Sequence, residues 1–222
     1  MRRVRRVASS SSVVHGVRVI PPLLFVITDP AYAPAHIESV VLHLGESLPL
    51  GSFGVQLRDK RRARDERHAL GARLRRVTSA CRAPLIINGD LALAGKIRAD
   101  GVHLGADAPP LSEVRGALQS MWISVAAHSD ADVERALAGR ADAVMVSPIY
   151  ETPGKGPPRG VRAIERARSI VGGALAVYAL GGVCAGRARA CRDAGATGVA
   201  IVRAVLDGPD PVIEAQRVLA EL

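Results

Sequence analysis

The sequence predicts a single (β/α)8 TIM barrel of the α/β class. Three observations carry this expectation. The chain has 222 residues, which suits one α/β barrel domain. From Leu23 onward, short apolar runs alternate with stretches of helical periodicity. Eight such runs occur in about 200 residues, enough to close a parallel sheet on itself.

The runs, in order, are Leu23–Thr28, Gly54–Leu57, Pro84–Ile87, Val102–Leu104, Ile123–Ala126, Ala143–Val146, Ala176–Ala179 and Gly198–Val202. Helical spacing marks 37–44, 62–77, 130–137, 162–170 and 185–193 between them. A last helix fits 210–222, with Pro211 in its first turn. An open doubly wound sheet would need fewer strands, and no Gly-x-Gly-x-x-Gly follows the first one.

Hydrophobic residues make up 48% of the chain and aromatics only 3%, so the core is expected from Ala, Val, Leu and Ile. No apolar run approaches the roughly 18–20 residues of a membrane span, so no membrane partner is expected. Cys81, Cys184 and Cys191 match no zinc spacing and read as reduced, packed thiols, consistent with a cytoplasmic protein. The net charge is +9, and Arg2, Arg3, Arg5, Arg6 and Arg18 contribute five of those charges. They lie in an Arg/Ser-rich segment, residues 1–20, expected to be a disordered extension ahead of a barrel over 21–222. A second basic cluster, Arg61, Arg62, Arg64, Arg67, Arg73, Arg75 and Arg76, falls on the helix predicted over 62–77 and reads as a solvated face. With so few aromatics to stack bases, nucleic acid is not an expected partner. An anionic small molecule accounts for the charge.

Active sites of such barrels sit at the C-terminal ends of the strands. Thr28 and Asp29 follow the first run, and Asn88 and Asp90 the third. Gln56, Arg58 and Lys60, at i, i+2 and i+4, share one face of the second strand while it lasts, and could clamp an anion. Lys60 and Lys155 are two of only three lysines among 30 basic residues, which suggests a compact ammonium is wanted there. Gly181 and Gly182 precede a helix expected to begin near Ala185 and would let backbone amides approach a phosphate. Arg203 follows the eighth strand, at the end where these barrels commonly hold phosphate. The loop from Glu151 to Arg159, with Thr152 and Lys155, reads as a lid over an anionic substrate. His128, after the fifth strand, suits proton transfer near neutral pH, whereas His103 lies within a buried strand and reads as a supporting residue.

Together these segments resemble the thiamin-phosphate synthase/TenI family over about 25–206. The matching pieces are Val26-Ile-Thr-Asp29, Gln56-Leu-Arg-Asp-Lys60, Leu85-Ile-Ile-Asn88, Ala99-Asp-Gly-Val-His-Leu-Gly105, Ala127-His-Ser129, Ser147-Pro-Ile-Tyr-Glu-Thr-Pro-Gly-Lys155, Ala179-Leu-Gly-Gly182 and Ala194-Gly-Ala-Thr-Gly-Val-Ala200. The resemblance implies one of two reactions. A synthase joins hydroxymethylpyrimidine diphosphate to a thiazole phosphate and uses magnesium held by two aspartates. A TenI-like tautomerase aromatises a thiazole carboxylate phosphate without metal, with its histidine at His128.

The sequence departs from the synthase pattern. Gly89 and Ala108 stand where the two aspartates belong, with Asp90 and Asp107 one residue away. Gly154 replaces a threonine, and Arg203 stands where serine is usual. The cation set, Gln56, Arg58, Lys60 and Lys155, is intact. The leading expectation is therefore the tautomerase, with His128 and Lys155 catalytic and no cofactor. Gln56, Arg58, Lys60, Asn88, Thr152, Gly181, Gly182 and Arg203 would bind substrate. The alternatives are the synthase, with Mg2+ at Asp90 and Asp107, and a non-catalytic regulatory protein that binds thiazole phosphate. The expected partner is a small phosphorylated substrate, a thiazole phosphate or also a pyrimidine diphosphate. A homodimer is left open.

Overall fold

The computed structural model describes residues 21–222, so the Arg/Ser-rich segment 1–20 lies outside the described residues. Eight parallel strands close into a barrel in sequence order. They are β1 (Leu24–Ile27), β2 (Phe53–Leu57), β3 (Leu85–Asn88), β4 (Gly101–Leu104), β5 (Trp122–Ala127), β6 (Ala143–Val146), β7 (Ala176–Leu180) and β8 (Gly198–Ile201). The helices are α1 (Pro34–Ser47), α2 (Arg64–Ala80), α3 (Leu91–Lys96), α4 (Leu111–Ala117), α5 (Asp130–Ala138), α6 (Arg162–Val171), α7 (Ala188–Asp193), α8 (Arg203–Leu206) and α9 (Pro211–Ala220). Closure is made by β1 against β8, with Leu24 opposite Val199 and Val26 opposite Ile201. The predicted α/β barrel is the fold observed.

Each strand faces two apolar layers, which is why the runs read as nearly continuous hydrophobic sequence. Alternate residues pack outward against the helices, as Leu24, Val26, Val55, Leu85, Ile87 and Val102 do. The others fill the barrel, where Phe25, Ile27, Ile86, Trp122, Met145, Tyr178 and Ala200 form a separate cluster. Here the expected aliphatic core needs correction. Phe25, Trp122 and Tyr178 pack together at ring-centroid distances of 5.1–6.3 Å. Small neighbours make room for them. A Cβ on Gly54 would lie 2.7 Å from the Phe25 ring, and one on Gly101 2.3 Å from the Trp122 carbonyl. Few aromatics are needed because a barrel interior is narrow.

Two helix starts also differ from expectation. α2 begins at Arg64, because Asp59 first closes a turn by accepting the amides of Arg61 (3.1 Å) and Arg62 (2.9 Å). Arg61 and Arg62 are therefore loop residues. α7 begins at Ala188, because Gly186 adopts φ +85 and holds the preceding residues out of the helix. The cluster on and before α2 is mostly paired rather than merely solvated: Arg62 with Asp59, Arg67 with Asp90, Arg73 with Glu38 and Arg75 with Asp100.

At the N-terminal end of the barrel, the residue before each of three even strands holds its neighbour. Asp100 Oδ2 accepts from the Leu85 amide (2.7 Å) and from Arg75 (2.6 Å). Asp142 Oδ2 accepts from the Ile123 amide (2.7 Å) and from Arg115 (2.6 Å). Thr197 Oγ1 accepts from the Val177 amide at 3.0 Å. These side chains satisfy amides near the strand starts, which would otherwise be unpaired. Asp142→Ala should cost about 1–3 kcal/mol and lower Tm by roughly 2–4 °C per kcal/mol in a chain of this size. Phosphate binding at the far end should be unchanged. A calorimetric melt superimposable on wild type would dismiss the clasp.

Candidate functional site

The inward positions at the C-terminal end divide into two halves. On β2 to β5 they are polar: Gln56, Asn88, His103 and Ser124. On β6, β7, β8 and β1 they are apolar: Met145, Leu180, Ala200 and Ile27. In the polar half, Gln56 Nε2 donates to Asn88 Oδ1 at 3.2 Å, and His103 Nδ1 lies 2.9 Å from Ser124 Oγ. Gln56 is 1% exposed, and its Oε1 has no partner. A buried acceptor left open is costly. Burial, with the charges of Arg58, His128 and Lys60 nearby, pushes the His103 imidazole down to about 4. His103 is therefore neutral at pH 7.

Above this floor lie the cations. Thr28 carries the β1–β2 pairing one residue beyond the strands. Its Oγ1 accepts from the Arg58 amide (3.0 Å) and donates to the Arg58 carbonyl (3.2 Å), which sets Arg58 at the mouth. Asp59, almost fully buried, then turns the chain so that Lys60 and Arg61 project from the rim. Its partner Arg62 donates to the carbonyls of Tyr32 (2.5 Å) and Pro30 (3.4 Å), tying this loop to the one after β1.

A cavity of about 520 Å³ opens here. It brings together six of the predicted residues: Arg58, Thr152, Lys155, Gly181, Gly182 and Arg203. Gly181 (φ +99) and Gly182 (φ +66) are required as glycines, since Cβ atoms there would meet Pro148 Cα at 2.9 Å and the Glu151 carbonyl at 2.8 Å. The same close approach seats the loop after β6, where the Tyr150 amide donates to the Gly181 carbonyl at 2.9 Å. Gly154, where the family motif would have threonine, has φ +74, a backbone that threonine adopts poorly.

Other predicted residues stand apart. Gln56 and Asn88 form the floor, and Lys60 is exposed on the rim. His128 is also exposed and does not line the cavity. Its Nδ1 lies 3.0 Å from the Ser147 carbonyl, which assigns the proton to Nδ1 and leaves the Nε2 lone pair free. Sequence reasoning missed Arg61 and Tyr32 as lining residues. Arg61 was masked by the arginines that follow it. Tyr32 shows no signal in the sequence; only the closure of the barrel brings its loop to the site.

The residues present do not suit magnesium. Asp90 caps α3 by accepting from the Leu93 amide at 2.9 Å, and its other oxygen is 3.1 Å from Arg67 and 3.9 Å from His68. Burial opposes its charge, but the Leu93 amide and Arg67 overcome this and hold its carboxyl below the ordinary value. Asp107 is exposed, and Ala108 packs against the core. Among the described residues no group of three or more His, Cys, Asp or Glu side chains could hold a metal. No helix among them is long and apolar enough to cross a membrane, and the three cysteines are free.

A closed (β/α)8 barrel with a cation-lined cavity at its C-terminal face defines a class of enzymes that act on phosphorylated small molecules. The chain belongs to the thiamin-phosphate synthase/TenI family of thiamin biosynthesis, since residues 24–205 match the family model described as thiamine monophosphate synthase. The thiamine-phosphate synthase of Methanospirillum hungatei is 37% identical over 90% of this chain and 96% of that protein. That of Roseiflexus castenholzii is 35% identical over 85% and 83%. Among solved structures, thiamine phosphate pyrophosphorylase from Pyrococcus furiosus superposes with a TM-score of 0.80 at 23% identity, covering 89% of this chain and 94% of that one.

The buried His103 makes stability depend on pH. An unfolded imidazole takes up its proton near 6.5, the folded one only near 4. Stability is thus full above about pH 6.5 and falls as the pH drops toward 4, by on the order of 3 kcal/mol. His103→Gln, which cannot titrate, should flatten that slope in urea titrations at pH 7 and pH 5. An equal slope in the variant would remove His103 as its source.

Proposed function

We propose that the chain joins hydroxymethylpyrimidine diphosphate to a thiazole phosphate and releases pyrophosphate. The observation that carries this reading is the set of cations at the mouth. Arg58, Lys60, Lys155 and Arg203 have no carboxylate within 4 Å among the described residues. A proton transfer on a monophosphate needs fewer charges than the departure of a diphosphate. The names of the relatives support the same reading, and it replaces tautomerisation as the leading one.

In this reaction the bond between the pyrimidine methylene carbon and the diphosphate oxygen breaks. Its electron pair leaves with the diphosphate, and the thiazole nitrogen closes on the carbon. Fixed cations aimed at the departing oxygens stabilise the charge as it develops. The apolar half of the mouth, Ile27, Leu180 and Ala200, offers a surface for a flat ring. The polar half offers the open Gln56 acceptor to a ring amine. Gly181 and Gly182 at the β7 loop, with Arg203, would hold the thiazole phosphate.

One observation favours a second reading, the tautomerase. His128 has the free Nε2 of a general base, and aspartates are missing at Gly89 and Ala108. Incubating the protein with both substrates, with and without magnesium, and measuring thiamin phosphate after oxidation to its fluorescent form separates the two. Sustained turnover is expected, and Lys155→Ala should lower kcat/KM on the order of 100-fold. No product beside an active control enzyme, together with His128-dependent aromatisation of a thiazole carboxylate phosphate, would replace this reading with the second. Tight binding of thiazole phosphate with neither turnover would leave a regulatory binder.

A further inference from the structure

Among the described residues, the cavity is lined by more positive than negative side chains. Arg58, Arg61, Lys155 and Arg203 line it against the single carboxylate of Asp29. Arg61 is only loosely paired, 3.8 Å from Asp29 with its side chain 69% exposed. By contrast Arg62, Arg67, Arg73 and Arg75, on or just before α2, are closely paired, with carboxylates at 2.5–3.1 Å. Cations gathered in a concave site repel one another until an anion enters, so the site is poised for a multiply charged ligand.

Magnesium would add two more positive charges to a cavity whose single lining carboxylate, Asp29, already serves the Ala31 amide and Arg61, while Asp107 is exposed and does not line it. The ion requires near-octahedral oxygen donors. Asp90 is held by the Leu93 amide, Arg67 and His68, and Asp29 Oδ1 accepts from the Ala31 amide at 2.9 Å. We propose, on the coupling reading above, that this chain binds the diphosphate group without a divalent metal, through Arg58, Arg61, Lys155 and Arg203. Arg61 and Arg203 are the residues that determine this metal independence. Arg61 stands on the loop after β2 and Arg203 at the start of α8, just after β8, so the two flank the end of β1 and a diphosphate held by both spans that side of the mouth. Each guanidinium can take two phosphate oxygens, as a metal-bridged diphosphate would otherwise require of the ion. Asp29 keeps Arg61 near the site when no anion is bound.

The test is calorimetric titration of the full chain with inorganic pyrophosphate, once in EDTA and once in magnesium. Pyrophosphate should bind in EDTA at least as tightly as in magnesium. Arg61→Gln and Arg203→Gln should each weaken binding about tenfold or more, with unchanged thermal melts, and Arg203→Lys should recover part of the loss. Binding that appears only with magnesium would overturn the inference and leave the coupling reading standing. So would wild-type affinity in both glutamine variants. Failure to bind pyrophosphate in either buffer, while inorganic phosphate still binds, would sink the coupling reading and this inference with it.

Discussion

The pairing of β1 with β8 governs the geometry of the mouth. It joins Leu24 to Val199 and Val26 to Ile201 and so fixes the stagger of all eight strands. Residues far apart in sequence meet only because this seam is closed. Thr28 can then hold Arg58 from across the β1–β2 ladder, and Arg203 faces the loop that carries Asp29 and Tyr32. Gln56, Asn88 and His103, the polar inward side chains of β2 to β4, lie toward the C-terminal ends. Lower in the barrel, Phe25, Trp122 and Tyr178 fill the space, and an unpaired polar group there would pay the full penalty of burial.

The site that results is uneven by design of its strands. Four adjacent strands, β2 to β5, supply Gln56, Asn88, His103 and Ser124, and the other four supply a smooth apolar wall. A neutral His103 beneath Arg58 and Lys60 keeps the floor from adding to the positive charge above it. The division suits a substrate with a flat, partly apolar ring and a highly charged tail.

Much of this was legible in the sequence, because the strands are short apolar runs bounded by Gly, Pro and charged residues. The limits of β6 were read to the residue, and β2 and β3 to within one. Gln56 lies on β2 as its alternation suggests, whereas Arg58 and Lys60 fall beyond the strand, and only Arg58 of the three lines the cavity. What could not be read depends on contacts across the fold. Nothing local distinguishes Arg61 and Arg62 from the helical arginines after them; the Asp59 turn does. Nor does the sequence say that Asp90 answers to Arg67 and His68, twenty-odd residues earlier, and so is unavailable as a ligand. His128 looks central by position; in the fold it is exposed, and its Nδ1 reaches the carbonyl of Ser147, a buried residue that lines the cavity.

The clasps formed by Asp100, Asp142 and Thr197 lie at the end of the barrel opposite the cavity. These three clasps therefore involve none of the residues that line the cavity. Gly89 and Ala108, where the family pattern would have its two aspartates, take no part in these clasps, so the choice of residue there leaves them untouched. Such a molecule can experiment with how it handles charge without first risking its shape.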